Sequence, residues 1–133
     1  MLSDLAHPDF PLIVAANRDE FHARPTAASA WWQDAPQLLA GRDLQSGGTW
    51  MGVTRTGRFA ALTNYREGGD AGDDAAKSMR ANPPSRGALV ADFLNGNDEP
   101  DIHLRSSAAD AAQYNGFNQI GRASCRERVL RRV

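Results

Sequence analysis

Two strand-like runs, Thr49-Trp50-Met51-Gly52-Val53-Thr54-Arg55 and Arg58-Phe59-Ala60-Ala61-Leu62-Thr63-Asn64-Tyr65, flank the dipeptide Thr56-Gly57. Apolar, β-branched and aromatic residues on both sides of a short glycine turn predict a β-hairpin. The middle of the chain is thereby committed to antiparallel pairing. Ser46-Gly47-Gly48 opens the hairpin, and the glycine pair lets the backbone approach another segment closely.

Upstream, residues 1–10 are polar and without a clear period, and His7-Pro8-Asp9 reads as a turn. Leu12 to Ala16 is a continuous apolar run, which predicts a strand buried on both faces. Asn17 to Pro25 reads as a loop, Thr26 to Ala30 as small and featureless, and Trp31-Trp32 as a bulky pair that needs cover. Gln37 to Ala40 predicts a short strand closed by Gly41-Arg42-Asp43. Downstream, Arg66 to Pro84 reads as a loop whose acids (Asp70, Asp73, Asp74) lack the spacing of a calcium loop. Ser85 is the expected cap of a helix that places Leu89, Val90, Phe93 and Leu94 on one face and ends at Gly96. A second helix is expected over Asp101 to Ala112. Tyr114 to Asn118 reads as a turn, and the residues after Asn118 do not read as a strand. Strands, a hairpin and then helices predict an α+β sandwich.

At 133 residues the chain is one domain or part of one, and 41% apolar content is enough for a core. A mean hydropathy of -0.51 and the absence of a long apolar run exclude a membrane-spanning helix. Met1 to His7 has neither the basic nor the apolar region of a signal peptide, so the expected location is cytoplasmic. The single cysteine, Cys125, allows no internal disulfide and no cysteine-based metal site. The net charge of -1 conceals an asymmetry. Five of the 15 basic residues and one of the 16 acidic ones lie from Ile120 onward, which leaves the body at -5 and the tail at +4. An acidic body argues against a nucleic-acid surface.

The apolar run Pro11 to Ala16 ends abruptly in Asn17-Arg18-Asp19-Glu20. Polar and charged groups at the mouth of a buried strand are costly to desolvate unless they pair or bind something. Residue types alone leave two readings open: an internally satisfied ion-pair turn, or a functional site. The tryptophans read as core or pocket wall, and Asn64 either as a polar strand end or as a donor to developing negative charge. His7, His22 and His103 share no metal-ligand spacing and read as surface residues.

Asn17-Arg18-Asp19-Glu20 resembles the signature of the NRDE family, also called the transport and Golgi organisation protein two family. Further matches follow in the family's order: Arg24-Pro25-Thr26, Leu39 to Leu44, Gly47 to Val53, Phe59 to Arg66, Ser85-Arg86-Gly87 and Tyr114 to Asn118. The matching set spans residues 7–118. The resemblance implies an N-terminal-nucleophile-hydrolase-like fold, a four-layer αββα sandwich. In that class a terminal cysteine attacks an amide, and its α-amino group, which titrates at about 7.7–8.0, serves as base. By resemblance Arg18, Asp19 and Asn64 are the expected catalytic residues, and Asn17, Glu20 and Trp50 the expected substrate contacts. No cofactor or metal is expected. The expected partner is a small-molecule ligand or amide substrate; haem is the alternative, carried by a non-catalytic trafficking protein.

The chain departs from the family at both ends. It begins Met1-Leu2-Ser3, where family members usually begin Met-Cys, and residues from Ile120 read like a translated sequencing adapter. The expectation is therefore a partial domain over 1–118, truncated at both ends. It lacks the first strand and its nucleophile, so an inactive fragment is expected, with a non-native tail over 119–133.

Overall fold

The structure, a computed structural model, describes residues 2–7, 9–18, 20–64, 83–123 and 129–132, with the backbone alone for 2–7, 11 and 129–132. Asp19, Tyr65, most of the Arg66–Pro84 loop and Cys125 lie outside the described residues. The fold mixes α and β. Strands β1 (Leu2–His7) and β2 (Phe10–Val14) pair antiparallel as a two-stranded sheet. His7 pairs with Phe10, so the chain reverses where His7-Pro8-Asp9 predicts it. Two expectations are corrected here. Leu2–His7 is a strand, although its residues show no period. β2 is not buried on both faces, because Ile13 is 40% exposed. A continuous apolar run does not reveal how many layers cover it.

The main sheet is an antiparallel meander in chain order: β3 (Thr26–Trp31), β4 (Leu38–Asp43), β5 (Met51–Thr54), β6 (Phe59–Asn64), β7 (Phe117–Arg122) and β8 (Val129–Arg132). The predicted hairpin is β5–β6. Its loop is three residues rather than two: Gly57 N–H donates to Thr54 O at 3.0 Å, and Thr54 N–H donates to Arg58 O at 2.8 Å. Gly57 takes a positive φ of 86°, the left-handed position this loop needs. β3 corrects the featureless reading of Thr26–Ala30. Its alanines and serine carry no strand signature, and pairing with β4 supplies the order. β7 corrects the expectation that nothing strand-like follows Asn118: Phe117 to Arg122 pair in sequence with Asn64 to Phe59. Gln119 and Arg122 are polar yet almost fully buried in the sheet, which a hydropathy pattern does not anticipate.

Between β6 and β7 the chain forms α1 (Gly87–Asn95) and α2 (Pro100–Ala109), followed by a short 3₁₀ turn at Ala111–Gln113. α1 packs on β4, β5 and β6, and α2 packs on β7 and β8. The expected face of α1 (Leu89, Val90, Phe93, Leu94) is buried against Leu38, Ala40, Ala60, Leu62 and Phe117. Each such large side chain contributes about 1.5–3 kcal/mol. The expected caps are corrected. The N-cap is Arg86, with no side-chain cap bond, and Gly96 is extended (φ -84°, ψ 178°) rather than left-handed. The helix end is closed from the sheet instead. Arg58 Nε and Nη2 donate to Phe93 O at 3.2 and 2.9 Å, and Nη2 to Asp98 O at 2.8 Å.

Strand alternation puts Leu39, Met51, Val53, Ala61 and Ile120 on the face away from the helices. All five are half-buried. No helix among the described residues is long and apolar enough to cross a membrane.

Candidate functional site

One end of the main sheet gathers the start of β3, the end of β4, the start of β5 and the end of β6. The register aligns them: Thr26 opposes Asp43, Met51 opposes Ala61, and Asn64 opposes Phe117. The loop that follows β2 delivers Arg18, Glu20 and Arg24 to this end.

Asp43 is the anchor. Its Oδ2 accepts from Arg24 Nη2 at 2.6 Å and from Nε at 3.1 Å, and its Oδ1 accepts from the Gln45 amide at 3.0 Å. Arg24 also donates to Ser46 Oγ at 3.0 Å. Burial pushes the Asp43 carboxyl up, but the Arg24 hydrogen bond, the Gln45 and Ser46 amides and the Arg24 charge outweigh it and hold it below its ordinary value. The Asp43 bond raises Arg24 in turn. Glu20 stands between two guanidinium groups, with Oε2 3.9 Å from Arg24 Nε and 3.5 Å from Arg18 Nη2. Its Oε1 accepts from the Phe21 amide at 2.9 Å. Arg86, half-buried at the start of α1, donates to Gly116 O at 2.9 Å and feels both Glu20 and Arg24. Its pKa is lowered chiefly by burial.

Arg18 lies over the Trp50 ring, 4.1 Å from its centroid, and donates from Nη1 to Thr26 Oγ1 at 3.2 Å. Trp50 is seated on Gly41, where an added Cβ would fall 2.6 Å from its Cη2. Arg18 and Trp50, with Thr26, Ala27, Ser29 and Gly41, line a pocket of about 380 Å³. Gly41 and Asp43 alternate onto the same face as Leu39, so this anchoring lies on the side away from the helices. A stacked guanidinium with fixed donors suits carboxylates and oxyanions.

The structure thus brings together three of the expected residues, Arg18, Glu20 and Trp50. Asn17 is exposed beside them. Asp19 lies outside the described residues. Asn64 reaches the same end of the sheet, but it alternates with Leu62 onto the helix side. Arg24, Asp43 and Arg86 were missed as site residues. The available signal was that each is a charged residue inside one of the matching segments, Arg24-Pro25-Thr26, Gly41-Arg42-Asp43 and Ser85-Arg86-Gly87.

The other aromatic expectations divide. Trp32 is core, with its Nε1–H donating to Ala40 O at 3.2 Å, and Trp31 is 41% exposed beneath Arg55. His22 is exposed. His103 is not a surface residue: it is half-buried, its Nε2–H donates to Leu89 O at 3.0 Å, and its ring packs on Phe93. Among the described residues no three His, Cys, Asp or Glu side chains gather as a metal site.

The family model described as "Transport and Golgi organisation 2" matches residues 1–129. The chain is 39% identical over 114 residues to the Transport and Golgi organization protein 2 homolog of Bos taurus, covering 84% of this chain and 38% of that protein. It is 35% identical over 114 residues to the Homo sapiens homolog, with the same coverage of each chain. It is also 35% identical over 133 residues to the Drosophila melanogaster protein, covering 90% of this chain and 44% of that one. The chain therefore spans about two fifths of the length of the curated relatives it matches. With the family model covering almost all of its residues, the chain belongs to the Transport and Golgi organisation 2 family.

Proposed function

We propose that this chain supplies one wall of the small-molecule site of an N-terminal-nucleophile-type amidohydrolase. The observation that carries the reading is Arg18, stacked on Trp50 in a pocket on the helix-free side of the sheet. The half-buried apolar row from Leu39 to Ile120 supports a sandwich, because a second sheet would complete its burial. In the whole protein a terminal cysteine thiol attacks the amide carbonyl. The α-amino group takes the thiol proton and passes it to the leaving amine as the C–N bond breaks. Water then hydrolyses the thioester. Arg18 stabilises the negative charge that develops, and Asp19 positions the reacting groups; Asn64, on the helix side of the sheet, takes no part in this reading. The reaction takes place in the cytoplasm in this reading. The test is hydrolysis of a panel of acyl amides by a full-length relative and by its N-terminal Cys→Ala variant. Equal rates from the two proteins would sink the reading.

A second reading is non-catalytic binding of haem or another metabolite. The flat guanidinium–indole stack favours it, because a conjugated anion can lie against such a surface. Haem absorbance titration of the same two proteins tests it. Saturable binding that survives the Cys→Ala change, with no amidase activity in either protein, supports the second reading over the first.

A further inference from the structure

Glu20 belongs fully to neither of its arginines. At 3.5 and 3.9 Å both contacts are longer than the charge-assisted bond of about 2.7–2.9 Å. Arg24 is already held by Asp43 and Ser46. Arg18 differs: it makes one bond to Thr26, rests its face on Trp50 and stands in the wall of the 380 Å³ pocket. Three guanidinium groups (Arg18, Arg24, Arg86) meet two described carboxylates (Glu20, Asp43) at this end of the sheet. The other pocket walls are small, namely Ala27, Ala28, Ser29 and Gly41. They include the outermost strand of the sheet, where the register shifts between Ala27 and Ala30.

We propose that this pocket takes the carboxylate of a small ligand, with Arg18 as its receptor and Glu20 as the internal carboxylate that the ligand displaces. Arg18 is preorganised by its stack and its Thr26 bond, so its fork geometry is available without reordering. Glu20 stays held through Oε1 by the Phe21 amide, while its Oε2 occupies the position a ligand anion needs and yields it at small cost because neither arginine contact is a short one. The apolar part of the ligand lies against Trp50 and the alanines of β3. The proposal rests on the reading that this end of the sheet is the ligand site, but it requires no catalysis.

The test titrates the full 133-residue chain with hexanoate and with its neutral counterpart hexanamide. The readout is the NMR resonance of the Trp50 indole N–H. Hexanoate is expected to bind about tenfold more tightly than hexanamide, a difference of about 1.4 kcal/mol. Arg18→Lys keeps the charge but loses the fork, and is expected to weaken hexanoate about tenfold. Glu20→Gln removes the competitor and is expected to tighten it several-fold. Asp34→Asn makes the same charge change on a residue paired with Arg42 instead, and is expected to leave the affinity unchanged. Ala28→Trp fills the pocket from an exposed strand and is expected to abolish binding with the circular dichroism intact. Equal affinity for the two probes, no binding of either, or weaker hexanoate binding in Glu20→Gln would overturn the proposal. A failed amidase assay on the full-length relative leaves all of these outcomes in place, so the two readings fail separately.

Discussion

Arg24 and Asp43 are joined through a single carboxylate oxygen: both Nη2 and Nε of the arginine point at Oδ2, at 2.6 and 3.1 Å. Oδ1 is left for the Gln45 amide at the β4–β5 turn. One side chain therefore ties the loop before β3 to the turn after β4. Asp43→Asn keeps an acceptor for only one of these partners. It is expected to cost about 2 kcal/mol, in the range for a hydrogen bond to a charged group. Urea unfolding of the two proteins measures the difference, and an unchanged midpoint would show that the pair is idle.

The same residue sets the acid limit. The Asp43 pKa is lowered in the folded state, so the unfolded chain takes up its proton first as pH falls. The contribution is complete above about pH 4, the ordinary carboxylate value, and is lost below it as pH falls toward the lowered folded value. Asp43→Asn is expected to flatten that limb of a plot of stability against pH from about 5 to 2.

His103 acts in a higher window. Burial lowers its pKa against the opposing hydrogen bond to Leu89 O, so protonation favours the unfolded chain. Stability is full above about pH 6.5 and falls as pH drops from there toward the lowered folded value. His103→Gln keeps a donor for Leu89 O without a titrating group. Chemical denaturation between about pH 7 and 5 is expected to show a slope in the parent and little in the variant.

Arg58 closes the C-terminal end of α1 from the β5–β6 hairpin, with its guanidinium 4.1 Å over the Phe93 ring. Arg58→Ala exposes that ring and strips donors from two carbonyls. A loss of about 2–3 kcal/mol is expected. Arg58→Lys restores the charge but not the fork, and is expected to recover less than half of the loss. Full recovery with lysine would show that charge alone matters.

Gln119 is completely buried, and among the described residues neither its amide nitrogen nor its amide oxygen has a hydrogen-bond partner. A buried unsatisfied amide costs about 1–3 kcal/mol, so Gln119→Met, similar in shape, is expected to raise the melting temperature. A lower melting temperature would mean that the amide has a partner in solution, a bound water being the simplest.

What was legible in the sequence was what short-range chemistry decides. Gly57 announced its hairpin because a left-handed residue is needed there, and Leu89 to Leu94 announced a helix because their spacing matches 3.6 residues per turn. β3 was hidden because Ala27, Ala28, Ser29 and Ala30 become a strand only by pairing with β4. β7 was hidden because Gln119 and Arg122 look like surface residues until the sheet buries them. At the site, Arg18 and Glu20 were visible as a polar break after an apolar run. The Arg24–Asp43 grip was not, because it joins residues nineteen positions apart. The side on which Asn64 falls depends on strand parity, where one residue of register reverses the face.

The meander in chain order carries a consequence for how the molecule assembles. From β3 to β6 every strand pairs with the next one along the chain, so those contacts close over short loops. Only the β6–β7 seam spans a long excursion, since the chain leaves the sheet at Asn64 and re-enters it at Phe117. Loop closure grows costlier with length, and contacts distant in sequence form late. In the main sheet the hairpin at Gly57 closes over the shortest loop, and the β6–β7 seam carries the largest loop-closure cost, so the helices between β6 and β7 share in that cost when the sheet is completed.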